Sequence, residues 1–265
     1  MLCLYDSRVG QTTAVRPGRS RELLIWTWAP IAGRPGVADI RRLLVADLIR
    51  RTVQMHKLAA TSWWAAGPGG GTASDPAAGE RALLTDCEEL NIYPPQYPPA
   101  SEDGPGRAAD VAVSGGEGED PGAGLGVVTG PVQAASSAEI LPWVAGLGAD
   151  PLALRLALLR CHYREPATVT PGALAQADAD LRDWRWQVAG WATQSSKPIS
   201  AAYRARVTAA FDNDLDVPGA LAELAELAAD DEVPQGARFE TFAHLDQLLG
   251  LDLAREVGHA PPATH

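Results

Sequence analysis

The stretch ELLIWTWAPIAGRPGVADIRRLLVADLIRR, residues 22–51, decides the fold class of this chain. Its first nine residues form a short aromatic and aliphatic run that Pro30 closes, and such a run predicts a buried strand. After a short loop, apolar residues at helical spacing predict an amphipathic helix: Ile40, Leu43, Leu44 and Leu48. Many α/β layers begin with a strand that feeds directly into a helix, so we expect an α/β fold at this end of the chain.

Arginines are concentrated on the predicted helix, largely on the side opposite its leucines: Arg41, Arg42, Arg50 and Arg51. We favour the interpretation that they form a solvated face, and the alternative is a surface that faces an anion. Residues 1–57 carry ten basic and four acidic residues, whereas the remainder is strongly acidic. Positive charge is therefore expected at the beginning of the chain.

The C-terminal part predicts a set of helices. Asp150 with Pro151, and Thr170 with Pro171, are typical of an N-cap followed by a first-turn proline. Further helices are predicted over residues 198–211 and around residues 221–227 and 239–249. The helix predicted to begin at Pro171 carries an apolar seam that only packing against other helices can bury: Leu174, Ala177, Leu181, Trp184, Val188 and Trp191. We expect an antiparallel helical bundle.

The segment between these two parts is poor in regular pattern. Residues 67–79 are rich in glycine and no Lys-Ser or Lys-Thr follows, so we interpret them as a connector and not a phosphate-binding loop. Nine glycines fall between Gly104 and Gly130. The predicted organisation is a reduced Rossmann-like portion over residues 1–99, a linker or remnant of a catalytic domain over 100–134, the bundle over 135–258 and a disordered tail over 259–265.

Composition excludes several classes of protein. The 265 residues include 33 acidic and 22 basic ones, and the formal charge of −11 disfavours broad nucleic-acid binding. Three cysteines without a CxxC pair argue against a disulfide framework and a thiolate metal site. Neither a signal peptide nor an uninterrupted apolar span is apparent. We therefore expect a cytoplasmic protein that contacts no membrane.

Five stretches carry a family resemblance: LCLYDSRVGQTTAVRPG, WAPI, LLTDCEELNIYPPQYPPASED, GADPLALRLALLRCHYREP and FDNDLDVPGALAELAEL. They resemble the cysteinyl-tRNA synthetases and the paralogous mycothiol-pathway ligase that joins cysteine to glucosaminyl-inositol. The match is most specific in the C-terminal half. The resemblance implies a class I synthetase-like Rossmann domain, the use of ATP to form cysteinyl-adenylate, and a zinc ion that selects the cysteine thiolate.

Three functional motifs of that family are altered in this sequence. The zinc-ligating Cys-Gly-Pro-Thr run is replaced by residues 28–31, which read Trp-Ala-Pro-Ile. The family's PHIGHAR motif becomes residues 35–41, where Asp39 stands in place of a histidine that meets ATP phosphate. Residues 130–134 stand where the lysine-bearing KMSKS loop is expected, and they contain no lysine. Adenylyl transfer needs positive charge around the phosphates, so we expect a truncated, catalytically degenerate paralogue without metal or cofactor.

The expected role is binding or regulation in a remodelled pocket whose candidate residues are Trp28, Pro30, Gly36, Asp39 and Arg41. The partner is expected to be a protein or a small molecule. tRNA is disfavoured because residues 150–258 carry 17 acidic and ten basic residues. One alternative is a divergent ATP-dependent amino-acid ligase in which Arg34, Arg41 and Arg42 clamp phosphate. Another is a structural subunit that oligomerises through its tryptophans.

Overall fold

The computed structural model describes residues 1–18, 22–29, 35–66, 76–96, 109–116, 124–134 and 140–259. Its strands are β1 (Cys3–Asp6), β2 (Gln11–Ala14), β3 (Glu22–Ala29), β4 (Ala59–Ala66), β5 (Val111–Ser114), β6 (Leu125–Val128), β7 (Val132–Ala134) and β8 (Ala167–Val169). Its helices are α1 (Val37–Met55), α2 (Pro76–Glu89), α3 (Ile140–Gly146), α4 (Pro151–Leu159), α5 (Pro171–Trp191), α6 (Ala201–Asp212), α7 (Val217–Ala229) and α8 (Gln235–Leu249).

The main sheet has four parallel strands in the order β4-β3-β5-β6. The predicted strand and helix at residues 22–51 are confirmed as β3 and α1. β5 and β6 fall within the glycine-rich segment that we interpreted as a linker or remnant, so the sheet extends beyond the expected boundary at residue 99. These short strands are ordered because β5 pairs with both β3 and β6 and buries Val111, Val113, Leu125 and Val127.

Short backbone contacts cover both edges of this sheet. At the β4 edge, the Trp64 amide donates to the Gln96 carbonyl and the Gln96 amide donates to the Ser62 carbonyl. At the β6 edge, the Ser7 amide, from the turn after β1, donates to the Gly126 carbonyl over 2.9 Å. β1 itself pairs with β2 as an antiparallel hairpin. These bonds satisfy some of the backbone groups along the two edges.

The interpretation of the α1 arginines as a solvated face is wrong. Arg41, Arg42 and Arg50 are buried, and Arg51 is half-buried. The physical reason is that α1 packs against β3, β4 and β5 and also contacts α8 and β7, so it has almost no free side. A single helix-wide pattern of apolar and polar residues cannot reveal neighbours on both faces.

The C-terminal helices pack on one another through the predicted seam. Leu174, Leu181 and Val188 of α5 are fully buried, and the Trp191 and Phe242 rings meet edge to face at 5.2 Å. α5 packs against α4 and α8, and α6 packs against α7. Both predicted N-caps are confirmed, since the Asp150 carboxylate accepts from the Leu152 amide and the Thr170 hydroxyl from the Ala173 amide. The antiparallel arrangement stays a prediction, and most of the expected tail lies outside the described residues.

No single helix among the described residues is long and apolar enough to cross a membrane. α3 and α4 are long and apolar enough only when taken together, and the two helices are bent by 114° relative to each other.

Candidate functional site

The strand order creates a switch point at the carboxyl edge of the sheet. From β3 the chain crosses through α1 to β4 on one side, and β5 lies on the other side of β3. Open α/β sheets bind ligands in the crevice outside the carboxyl ends of the strands at such a point. The backbone of Trp28 at the end of β3 and Ser114 at the end of β5 mark this edge. The predicted pocket residue Pro30 and the clamp candidate Arg34 lie outside the described residues.

Asp39 closes the N-terminus of α1. Its Oδ2 accepts a hydrogen bond from the Gly36 amide over 2.8 Å, and its Oδ1 accepts from the Arg42 guanidinium. The carboxylate therefore satisfies one free amide of the helix and lies where the helix dipole favours negative charge. The first turn of α1, which is a ready anion-binding position in many α/β proteins, already holds an anion that the chain itself supplies.

Arg42 extends this arrangement to β5. Its Nη1 lies over Gly115, at a distance of 2.2 Å from the position that a Cβ there would take. The Nε atom of Arg42 and the Oγ1 atom of Thr27 are buried without a hydrogen-bond partner among the described residues. Uncompensated polar atoms of this kind are rare in folded proteins and concentrate at functional positions. The carboxyl edge thus combines an Asp39–Arg42 ion pair with two polar atoms that have unused hydrogen-bonding capacity.

Sequence reasoning missed Thr27, Ser114 and Gly115 as members of this site. The signal was present, since the run VAVSGG at residues 111–116 is a short β-prone segment followed by Ser-Gly-Gly. That pattern is typical of a strand that ends in a close backbone approach. Ser114 and Gly115 fall in the segment that we interpret from sequence as a linker or remnant, because glycines around them are numerous, whereas Thr27 lies within the predicted strand.

Arg41 serves a different purpose from the one expected. Its guanidinium donates to the main-chain carbonyls of Gly130 over 3.0 Å, Glu165 over 2.7 Å and His162 over 2.8 Å. Burial lowers the pKa of Arg41, while the nearby Cys161 opposes that shift. The residue ties the start of β7 to the loop after α4. Of the five predicted pocket residues, the structure places Gly36 and Asp39 together near the end of β3 and directs Arg41 elsewhere.

The segment in place of the lysine-bearing loop is held by main-chain contacts. β7 pairs in parallel with β8, the Gly130 amide donates to the Tyr163 carbonyl over 2.8 Å, and the Ala167 amide donates to the Pro131 carbonyl over 2.9 Å. A Cβ at Gly130 would lie 2.3 Å from the Glu165 carbonyl oxygen. Glycine is required here because the two backbones approach too closely for any side chain.

The donors that a zinc ion requires do not come together in the described part of the chain. No three His, Cys, Asp or Glu side chains there are placed to share a metal ion. Burial raises the pKa of the Cys87 thiol to about 12, and the carboxylates of Asp47 and Asp86 add to the shift. Zinc binds the thiolate form, so this buried cysteine is a poor ligand.

The parallel sheet, its switch point and the helix that begins there define a Rossmann-like α/β protein. The chain is similar to enzymes named L-cysteine:1D-myo-inositol 2-amino-2-deoxy-alpha-D-glucopyranoside ligase. It is 43% identical to the one from Thermobispora bispora over 105 residues, which are 40% of this chain and 25% of that enzyme. It is 41% identical to the one from Beutenbergia cavernae over 113 residues, with the same coverage. No family model matches the chain.

The matched part of the chain thus spans about a quarter of the length of the curated relatives. Within that stretch, the resemblance to the mycothiol-pathway ligases that we inferred from sequence motifs is confirmed. What those enzymes act on remains, for this chain, a matter of proposal.

Proposed function

We propose that this chain is a catalytically degenerate relative of the cysteine ligases that acts by binding a protein or a small molecule. The N-terminus of α1, called the head of α1 below, supports the proposal, because Asp39 supplies a fixed negative charge there and pairs with Arg42. A phosphate about 4 Å from that carboxylate meets a repulsion of about 4 kcal/mol at an effective dielectric constant of about 20. Taken alone, this repulsion corresponds to about a thousandfold weaker binding, and the paired Arg42 guanidinium offsets part of it.

The divergent-ligase alternative needs relocated cations, and the structure offers it little support. Arg41 donates to four main-chain carbonyls and Arg42 is paired with Asp39. Using either one as a phosphate clamp would break a buried interaction, which costs the desolvation of the group left behind. The alternative of a structural subunit rests on Trp143, Trp184 and Trp186, which are half-buried, because Trp191 is buried inside the protein.

The expected partner and cellular compartment are also part of this proposal. The acidic C-terminal helices disfavour tRNA as the partner. All three cysteines are unpaired, which suits a reducing compartment such as the cytoplasm.

The test combines ATP binding with catalysis. We expect no ATP–pyrophosphate exchange above background with cysteine or any other amino acid. In titration calorimetry, Asp39→Asn should bind ATP at least tenfold more tightly than the unmodified chain, because the substitution removes the repulsive charge. The matched control is Asp178→Asn, since Asp178 also accepts a main-chain amide, pairs with the nearby Arg182 and has a side chain 14% exposed against 12% for Asp39.

Two results would overturn the proposal. The first is cysteine-dependent exchange by the unmodified chain that Arg42→Gln abolishes, because that would assign Arg42 to catalysis. The second is an equal ATP affinity for the Asp39→Asn and Asp178→Asn variants, because the charge of Asp39 would then have no special effect on the nucleotide.

A further inference from the structure

A polar cleft of about 550 Å³ lies between the loop after α4 and the start of α7. Its lining residues are Arg160, His162, Arg164, Glu165, Asp216 and Pro218. Only Pro218 among them is apolar, so charged and polar side chains dominate the lining. It shares no residue with the head of α1, and the inference below does not rest on the proposed function.

A strained turn fixes one wall of the cleft. Asp214 and Leu215 are consecutive non-glycine residues with φ values of 55° and 51°, a left-handed conformation that is unfavourable for leucine in particular. The Asp214 amide donates to the Cys3 carbonyl over 2.9 Å, and its Oδ1 accepts from the Tyr5 amide over 2.8 Å and the Tyr163 hydroxyl over 2.6 Å. Strain that surrounding contacts enforce in this way is common at ligand clamps.

The two arginines retain hydrogen-bonding capacity. Arg160 pairs with Asp180, and the Arg164 Nη2 lies 2.8 Å from the Asp214 Oδ2. Each of these ion pairs engages one nitrogen, whereas a guanidinium has five N–H donors. The side chains remain accessible, since Arg160 is 36% and Arg164 is 44% exposed. A carboxylate that enters the cleft can therefore accept hydrogen bonds from both guanidiniums without displacing their partners.

The other lining groups supply acceptors and a rigid wall. Glu165 is exposed, and the Asp216 Oδ1 accepts from the Gly219 amide, which leaves its Oδ2 for another donor. His162 is fixed, because its Nε2 donates to the Asp214 carbonyl over 2.9 Å and its Nδ1 accepts from the Arg164 amide over 3.4 Å. The lining thus presents two guanidiniums and two carboxylates.

We propose that this cleft binds a small zwitterion of the amino-acid class. The ligand's carboxylate would bind the guanidiniums of Arg160 and Arg164, and its ammonium would bind the carboxylates of Glu165 and Asp216. For a simple anion, repulsion by the two acidic groups offsets the attraction of the arginines, and for a simple cation the arginines offset the attraction of the acidic groups. A zwitterion satisfies both sets of charges, and charge-assisted hydrogen bonds on both of its groups give it the advantage.

The first experiment compares three probes with the full chain by NMR titration: glycine, acetate and methylammonium. We expect saturable shifts confined to residues 160–165 and 214–218 with glycine, and an affinity at least tenfold higher than for either half-molecule. Acetate that binds as tightly as glycine would overturn the zwitterion assignment. An absence of saturable shifts with glycine would overturn the site itself.

Substitutions then assign the two ends of the ligand. Arg164→Gln should weaken glycine and acetate alike by about tenfold, whereas Glu165→Gln should weaken glycine and leave acetate as tight or tighter. Arg206→Gln is the matched control, because Arg206 is 45% exposed, pairs with Glu223 and lies over the Tyr203 ring as Arg164 lies over the Tyr5 ring. Glycine affinity that responds equally to the Arg164 and Arg206 substitutions, or not at all to Glu165→Gln, would contradict the assignment.

Discussion

Asp47 of α1 is the buried group whose replacement we expect to destabilise the fold most. Its side chain and that of Arg155 are both 0% exposed, and the Arg155 Nη2 donates to the Asp47 Oδ2 over 2.9 Å. The same carboxylate accepts from the Arg51 Nε over 2.7 Å and from the Tyr93 amide over 3.2 Å. Arg155 also donates to the carbonyl of Leu249, the last residue of α8, and to that of Leu90, which follows α2. The pair therefore joins the α/β portion to the C-terminal helices.

Asp47→Asn keeps the shape of the side chain and removes its charge. Arg155 would then remain charged in the interior without an anionic partner, and breaking a buried pair in this way costs about 3–5 kcal/mol. The total stability of a domain is about 5–15 kcal/mol, so a large fraction would be lost. Asp231→Asn is the control, because Asp231 also pairs with an arginine, Arg238, but is fully exposed. We expect no measurable change for it.

Urea unfolding followed by circular dichroism measures the free energy of unfolding of each variant. The pH dependence of that free energy supplies a second check. Burial by itself raises the pKa of Asp47, but the guanidiniums of Arg155 and Arg51 outweigh it and hold the pKa below its ordinary value. A carboxyl with a lowered pKa stabilises the fold fully above about pH 4, the unfolded value, and loses that contribution as the pH falls through the folded value. The difference in free energy of unfolding between the unmodified chain and Asp47→Asn should therefore decrease below about pH 4.

A loss of stability for Asp47→Asn as small as that for Asp231→Asn would refute this reasoning. A variant that fails to fold still permits a test. Asp47→Leu combined with Arg155→Met should be more stable than Asp47→Leu alone, because the double variant removes the fully buried guanidinium that the single variant leaves without its carboxylate. A double variant that is less stable than the single one would show that the pair is not the source of the effect.

Two further predictions concern backbone space and thiol burial. Gly130→Ala should lower stability by about 1–3 kcal/mol in thermal unfolding because of the contact with the Glu165 carbonyl, whereas Gly190→Ala, in open space on α5, should raise it by about 0.5–1 kcal/mol. The Cys87 thiol, whose pKa burial raises to about 12, should react with iodoacetamide at neutral pH only after unfolding. Mass spectrometry should find the half-buried Cys3 and Cys161 modified before Cys87.

Local patterns predicted a large part of this fold. β3, α1 and α5 follow from apolar spacing and capping residues within each segment, and Asp150 and Thr170 cap their helices as expected. β5 and β6 were missed because their order depends on pairing with strands far along the chain. Val111 pairs with Ile25, and no local pattern in four residues surrounded by glycines reports that partner.

The candidate site was predicted less completely, for a related reason. Asp39 and Gly36 were found because they align with a motif near the start of a helix. The role of Arg41 could not be found, since its acceptors are carbonyls at residues 130, 162 and 165. Main-chain carbonyls exist at every position, so a sequence cannot mark which of them a buried arginine will contact.

The burial of the α1 arginines also changes what the charge of the chain implies about its ligands. Residues 1–57 have an excess of basic over acidic residues and should attract anions if their charges were at the surface. Yet Arg41, Arg42 and Arg50 are buried, and the last two are paired with carboxylates of their own helix. Because a paired, buried cation contributes little to the field outside the protein, Arg42 and Arg50 add little to an anion-attracting surface. Exposed guanidiniums such as those of Arg160 and Arg164 are therefore better placed to meet an anionic group.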